Sequence, residues 1–314
     1  MPTGSVTIVI SPRERFSYAR QSLDSIYRNT DYPFGLVYVD GNSPSDVSEH
    51  LRREAIRRGF RLIRTDHFLT PNQARNLGSM DLDSTYVVFL DNDVDVSPGW
   101  LTHLVTCAEE TGAWAVSPVY FEGAPKDRVI HMAGGDADFV VRDGVRLFEE
   151  EHVRNGERFD AVAPTLRRGP TGFFEFHCAL VRLDVLRKLG PLDEEYTSLH
   201  EHMDLSLRIR QAGGAIYLEP KAQITYVFGL LTATDVEYSR LRWSEEWNRQ
   251  STNHFAKKWN LVPTDPWVPH AIEWGTNHRA HMERMRRGPW SVLKRSAQRV
   301  LPDRLYSTLR ELRG

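Results

Sequence analysis

Short β-branched apolar runs alternate with amphipathic stretches over the first hundred residues. Residues 6–10 (Val-Thr-Ile-Val-Ile) form the first run, and a helical pattern covers 16–27. A second run at 36–39 ends in Asp40-Gly41-Asn42-Ser43-Pro44, dense in turn formers, before a polar amphipathic helix over 46–58. A short strand at 60–63, a short helix at 72–80 and the most apolar strand, 86–90, follow. Strands that are apolar throughout and alternate with helices predict a mostly parallel sheet covered on both faces. Ligands of such sheets bind outside the carboxyl ends of the strands. Asp40 and Asp91 each follow a strand directly, so both are placed at that edge.

Beyond a helix predicted at 100–111 the periodicity weakens. Residues 117–168, with Gly134-Gly135 and many charges, read as a hairpin-rich or loop-rich insertion. Regularity returns with a strand-like run at 172–182 and a helix at 184–189 closed by Gly190-Pro191. A helix at 203–212, closed by Gly213-Gly214, precedes late strands at 215–218 and 223–227. No repeat or low-complexity segment is visible.

Composition narrows the class. With 314 residues, 40% hydrophobic and 26% charged, the chain can bury the core of one large α/β domain or two smaller ones. A net charge of -2 removes any whole-chain argument for nucleic acid as a partner. The two cysteines, Cys107 and Cys178, lie in apolar surroundings and are expected as reduced core thiols. No apolar run approaches the ~20 residues of a membrane span. The first residues lack the pattern of a signal peptide, so a cytoplasmic location is expected. Residues 279–314 carry ten basic groups against three acids, with an apolar component that includes Trp290, Leu293, Leu301 and Tyr306. Such a segment suits peripheral contact with the inner face of an anionic membrane; packing on the domain and homo-oligomerisation are the alternatives.

Asp91-Asn92-Asp93 is the candidate chemical centre. Two carboxylates two residues apart at a strand end can converge on one hard cation, with pyrophosphate oxygens filling further positions. That arrangement offsets charge on a diphosphate leaving group. A solvated turn is the other reading of the tripeptide.

Six segments in order resemble family 2 glycosyltransferases of the GT-A fold. They are 6–10; Val39-Asp40-Gly41-Asn42-Ser43; Asn72-Gln73-Ala74-Arg75-Asn76-Leu77-Gly78; Val88-Phe89-Leu90-Asp91-Asn92-Asp93; 180–193; and Glu201-His202-Met203-Asp204-Leu205-Ser206-Leu207-Arg208. Together they cover roughly residues 5–230. The resemblance implies a Rossmann-like, mostly parallel α/β sheet flanked by helices, with a smaller acceptor-side region. It divides the chain into a nucleotide-sugar half (1–117), an acceptor half (118–260) and a basic helical extension (261–314). The implied activity is transfer of a sugar from a nucleotide-diphosphate sugar, with inversion, to a glycan, lipid-linked or small-molecule acceptor, in glycan or surface polysaccharide synthesis.

Carried over by position, Pro12, Arg13, Glu14, Asp40 and Asn42 would touch the base and ribose, although Asp40 also suits a turn cap. Asn72, Arg75 and Asn76 would flank the nucleotide, with Arg75 near the phosphates or in a salt bridge at the sheet edge. Asp91 and Asp93 would hold Mn²⁺ or Mg²⁺ and, with Asn92, the donor. Two positions depart from the family. Relatives carry Glu-Asp where this chain has Glu201-His202, so either residue can act as general base. Glu201 is preferred, because a carboxylate also stabilises positive charge developing on the sugar; His202 is the alternative base or a metal or diphosphate ligand. Tyr226 stands where many relatives carry a metal-binding His, which shortens the implied ligand set. Glu175 and His177 are weaker acceptor-site candidates, and Asp204 with Arg208 is expected as an ion pair. The competing readings are a sugar-nucleotidyltransferase, for which the Gly-rich first loop is missing, and a binding protein without turnover.

Overall fold

The structure, a computed structural model, describes residues 3–300 apart from 228, 230 and 263, with the backbone alone from 285 onward. The N-terminal part alternates strand and helix: β1 (Val6–Ser11), α1 (Ala19–Asn29), β2 (Gly35–Gly41), α2 (Ser45–Arg58), β3 (Arg61–Thr65), α3 (Pro71–Ser79), β4 (Tyr86–Asp91), β5 (Val94–Val96) and α4 (Trp100–Thr111). The middle holds β6 (Ala115–Glu122), β7 (Val129–Met132), β8 (Gly135–Arg142), β9 (Val145–His152), α5 (Phe159–Val162) and β10 (Gly169–Pro170). Then come β11 (Cys178–Arg182), α6 (Leu183–Leu189), α7 (Glu201–Gln211), β12 (Ile216–Tyr226), α8 (Val236–Arg242), α9 (Glu245–Lys258) and α10 (Trp267–Val300).

One large sheet runs β10-β12-β6-β11-β4-β1-β2-β3, with β5 added to β12 and β7 to β6. β3, β2, β1 and β4 are parallel, as the continuous apolar runs predict, while β11 enters antiparallel between β4 and β6. The strands alternate faces with period two. Ile8, Ile10, Val88 and Leu90 pack with Leu23, Val47, Leu51 and Leu104 of α1, α2 and α4. Val9, Val39, Val87 and Phe89 face the other way, onto Ala74, Leu186, Leu205 and Ile209 of α3, α6 and α7. α3 lies so close that a Cβ on Gly78 would sit 2.4 Å from Val9 Cγ1 and 2.9 Å from Val39 Cγ2. Its start is set by a capping box between Thr70 and Gln73, with Pro71 at the first helical position.

Three expectations are corrected. The loose region opens with β6, a central strand, and its remainder is hairpin-built: β8 and β9 form a separate two-stranded sheet. The run at 172–182 is a strand only from Cys178, because the Tyr120 hydroxyl accepts from the Glu175 N–H (3.0 Å) and lies 2.8 Å from the Cys178 carbonyl, turning the segment before it. The two late strands are one, β12, whose register against β6 shifts between Glu219 and Gln223. Both cysteines are buried and free, as expected. No described helix is long and apolar enough to cross a membrane. Most of the basic segment 279–314 lies outside the residues whose side chains are described.

Candidate active site

Between β1 and β4 the strand order reverses, since β2 and β3 lie on one side of β1 and β4 on the other. Such a switch point opens a crevice at the carboxyl ends of the strands. Ser11 and Asp91, the last residues of β1 and β4, are register partners there. The Asn92 N–H donates to the Ser11 carbonyl (3.1 Å), and Asn92 Oδ1 accepts from the Arg13 N–H (2.8 Å). The Asp91-Asn92-Asp93 turn and the 12–14 loop are therefore one locked unit.

Charge on this unit is dense and buried. Arg13 Nη1 reaches Asp91 Oδ2 (3.3 Å) and its Nε reaches Glu14 Oε2 (3.1 Å). Arg75, 1% exposed and held 3.9 Å over the Phe176 ring, reaches Asp91 Oδ1 (3.3 Å) and Glu201 Oε1 (3.4 Å). His177 Nδ1 lies 3.2 Å from Asp91 Oδ2, and the Tyr226 ring stacks on it at 4.3 Å. The Tyr226 hydroxyl donates to Glu14. Burial pushes the Asp91 carboxyl up, but His177, Arg13 and Arg75 outweigh it and hold it at about 2. Asp93 goes the other way: burial, then Glu14 and Asp91, push it well above the usual carboxylate range. Neither Asp93 oxygen has a hydrogen-bond partner among the described residues, although the side chain is fully buried. An unpartnered buried carboxylate is costly, and a hard divalent cation with oxygen ligands removes that cost. The donor set fits Mn²⁺ or Mg²⁺.

The start of α7 lines a cleft of about 580 Å³ together with Arg13, His177 and Tyr226. Glu201 opens this helix, where its dipole favours a carboxylate, and Arg242 of α8 approaches Glu201 Oε1 to 3.6 Å opposite Arg75. Burial raises the Glu201 carboxyl, but Arg242 and Arg75 outweigh it, so it stays anionic. Burial pulls His202 below the ordinary imidazole range, with Glu175 opposing, so it is neutral near pH 7. Deeper in the middle region, His131 Nε2 (3.2 Å) and His177 Nε2 (3.0 Å) flank the Glu175 carboxylate. Burial lowers His131, but Glu175 and Glu122 outweigh it and push it up to about 10.

Arg13, Glu175, His177, Glu201 and His202 line the cleft, while Glu14, Arg75 and Asp91 are buried behind them, joined to Arg13, His177 and Glu201 by ion pairs, and Asn92 and Asp93 are buried beside Asp91. Others do not face it freely. Asp40 takes the Ser43 N–H on Oδ1 (2.9 Å) and Arg64 on Oδ2, which is the turn-cap arrangement. Asn42, at φ 64°, completes that turn, and Pro12 packs against Gly41. Asn76 is corrected: its amide is consumed by the Leu192 backbone and Glu194, clamping the loop before α7. Asn72 likewise donates to the Asp193 carbonyl (2.8 Å) while orienting Arg75. Asp204 pairs more closely with Lys258 (2.8 Å) than with Arg208 (3.8 Å). Trp243, a weak acceptor-site candidate from sequence, lines the cleft; sequence reasoning missed Arg242, His131, His152, Trp274 and His278, which reach it from α8, β7, β9 and α10 and share no motif.

The glycosyl transferase family 2 model matches residues 7–190. The O-antigen biosynthesis protein RfbC of Myxococcus xanthus is 24% identical over 219 residues, 67% of this chain, which spans only 16% of that relative. A structure of GalNAc-T7 with UDP, GalNAc and Mn²⁺ matches with a TM-score of 0.56 at 16% identity, over 88% of this chain and 55% of that one. The mannosyltransferase PcManGT from Pyrobaculum calidifontis, in complex with GDP-Man and Mn²⁺, gives 0.54 at 18% identity, over 98% and 85%. These structural likenesses establish the GT-A type of fold. With the family model covering more than half of its length, the chain belongs to glycosyl transferase family 2.

Proposed function

We propose that this protein transfers a sugar from a nucleoside-diphosphate sugar to an acceptor hydroxyl, with inversion and with a divalent cation bound by Asp91 and Asp93. The observation that carries the reading is the Asp93 carboxylate, buried without a partner beside Asp91 at the switch point. The Mn²⁺ and nucleotides in the complexes of GalNAc-T7 and PcManGT support it. The cation supplies positive charge where a diphosphate departs.

The chain's own groups divide the remaining work. Arg13, Arg75 and His177 keep Asp91 ionised and fixed in direction. His202 is the better base: it is neutral, lines the cleft and occupies the position where relatives carry Asp. Glu201, preferred from sequence, lies between two arginines that lower its basicity; it suits stabilising positive charge on the sugar. Trp274 stacks on His278 (5.0 Å), the Trp243 ring lies tilted 3.9 Å from the same imidazole, and the three form an aromatic wall suited to a sugar face. The name of RfbC supports a surface-glycan setting. The test is turnover of UDP-, GDP- and dTDP-sugars with Mn²⁺ and with chelator. One donor hydrolysed or transferred only with the metal is expected; no donor turned over under any condition sinks the reading.

A further inference from the structure

Two histidines that no motif singles out meet Glu175 on the acceptor side of the cleft. His131 sits on β7 and His152 ends β9, and their strands are tied by reciprocal backbone bonds, Ala133 N–H to the Val153 carbonyl and Val153 N–H to the Gly134 carbonyl, both 3.0 Å. The rings stand edge to face with centroids 5.3 Å apart. His131 Nε2 is 3.2 Å and His152 Nε2 is 3.6 Å from the same oxygen, Glu175 Oε1. The three ligand atoms lie within 4.8 Å of one another. Ligand atoms around a tetrahedral Zn²⁺ with bonds near 2.0–2.1 Å are about 3.3–3.4 Å apart, so little movement closes this set on an ion.

The surroundings are those of a supported metal site. A ligating imidazole is usually oriented by a carboxylate on its other nitrogen, and His131 Nδ1 lies 3.2 Å from Glu122 Oε2. A ligating carboxylate is itself held, and the second Glu175 oxygen lies 3.0 Å from His177 Nε2. Side-chain exposures of 20% for His131 and 25% for His152 leave a side of the cluster open to the cleft. Two imidazoles and a carboxylate with an open position suit Zn²⁺ and its neighbours, whereas the oxygen ligands at Asp91 and Asp93 suit Mn²⁺ or Mg²⁺.

We propose that His131, His152 and Glu175 form a second metal site, for a borderline transition-metal dication such as Zn²⁺, separate from the Asp91–Asp93 site. The bound ion pins the hairpin-built region to the cleft and offers its open position to an oxygen of the acceptor. The site stands whether or not the donor reading holds. His177 lies between the two, 3.0 Å from Glu175 on one nitrogen and 3.2 Å from Asp91 on the other.

The test is calorimetric titration of the chelator-treated, tag-free full chain with Zn²⁺ alone. Wild type is expected to take up one tightly bound ion, and Asp93→Asn to take up the same. His152→Ala is expected to weaken binding by about 100-fold or more, and Glu122→Gln by about 10–100-fold. Zn²⁺ should raise the melting temperature of wild type and leave that of His152→Ala unchanged, which also reports that the variant folds. Absence of tight Zn²⁺ uptake overturns the proposal, as does uptake unaltered in both His152→Ala and Glu122→Gln, or uptake abolished by Asp93→Asn.

Discussion

The two halves of the site are made of different materials. The strand-end side is carboxylate and arginine, carried on β1, β4 and α3, with its parts fixed by parallel register and two backbone-linked loops. The cleft lining is rich in imidazole and indole, drawn from β7, β9, the 172–177 turn, α7, α8 and α10. The first arrangement holds its charged groups in one geometry on a rigid scaffold. The second assembles groups remote in sequence, the arrangement in which acceptor preference can vary while donor chemistry is kept.

The sharpest way to break this contrast is Asp93→Asn. Turnover is expected to fall by on the order of 10³-fold or more, since several kcal/mol of charge stabilisation depend on the cation. In chelator the same variant should melt a few degrees higher, because an uncharged amide replaces a carboxyl crowded by Glu14 and Asp91. Loss of both activity and stability would instead make Asp93 a structural residue.

In the cleft lining, His202→Ala should lower kcat by about 10²-fold or somewhat more, with the melting temperature little changed. His202→Asp, which restores the family's residue, should recover much of that loss. If Glu201→Gln abolishes turnover while His202→Ala does not, the base is Glu201.

A third variant probes the scaffold that keeps the strand-end side rigid. Gly78→Ala forces α3 away from Val9 and Val39 and should cost about 1–3 kcal/mol in denaturant unfolding. An unchanged midpoint would mean that α3 does not depend on that close approach.

The smallest effect concerns pH. His200, buried against Trp267 and Phe255, is held by burial at about 3, against an ordinary value of 6.5. Above pH 6.5 neither the folded nor the unfolded chain protonates it. As pH falls from 6.5 toward 3 the unfolded chain takes the proton first, so stability is lost across that window. His200 has φ 67°, a conformation that Asn tolerates. His200→Asn should therefore show a smaller drop in melting temperature between pH 8 and pH 5 than wild type.

How much was legible follows the same division. β1, β2 and β4 are continuous apolar runs, so their burial, order and ligand-bearing ends could be read directly. Asp91 and Asp93 adjoin such a strand, and Arg75 and Glu201 sit in family-like segments, so the proximity of Asp91, Arg75 and Glu201 is legible too. Asn76 was misplaced because helix spacing alone does not tell a cleft-facing amide from one that clamps the next loop. His131 and His152 are 21 residues apart on separate strands, and backbone pairings such as those of Ala133 and Gly134 with Val153 bring them together. β11 read too long because the Tyr120 hydroxyl, supplied from β6, turns the chain at Glu175. Each miss is a tertiary contact overriding a local pattern.

The central claim is that the end of β4 holds a nucleoside diphosphate through a divalent cation. Equilibrium titration of UDP, GDP and dTDP into wild type and Asp93→Asn, with Mn²⁺ and with chelator, tests it most directly. The account predicts that at least one of them binds wild type with Mn²⁺ and loses about 100-fold or more in affinity in chelator and in the variant. Binding indifferent to both, or no binding of any of the three, would contradict it.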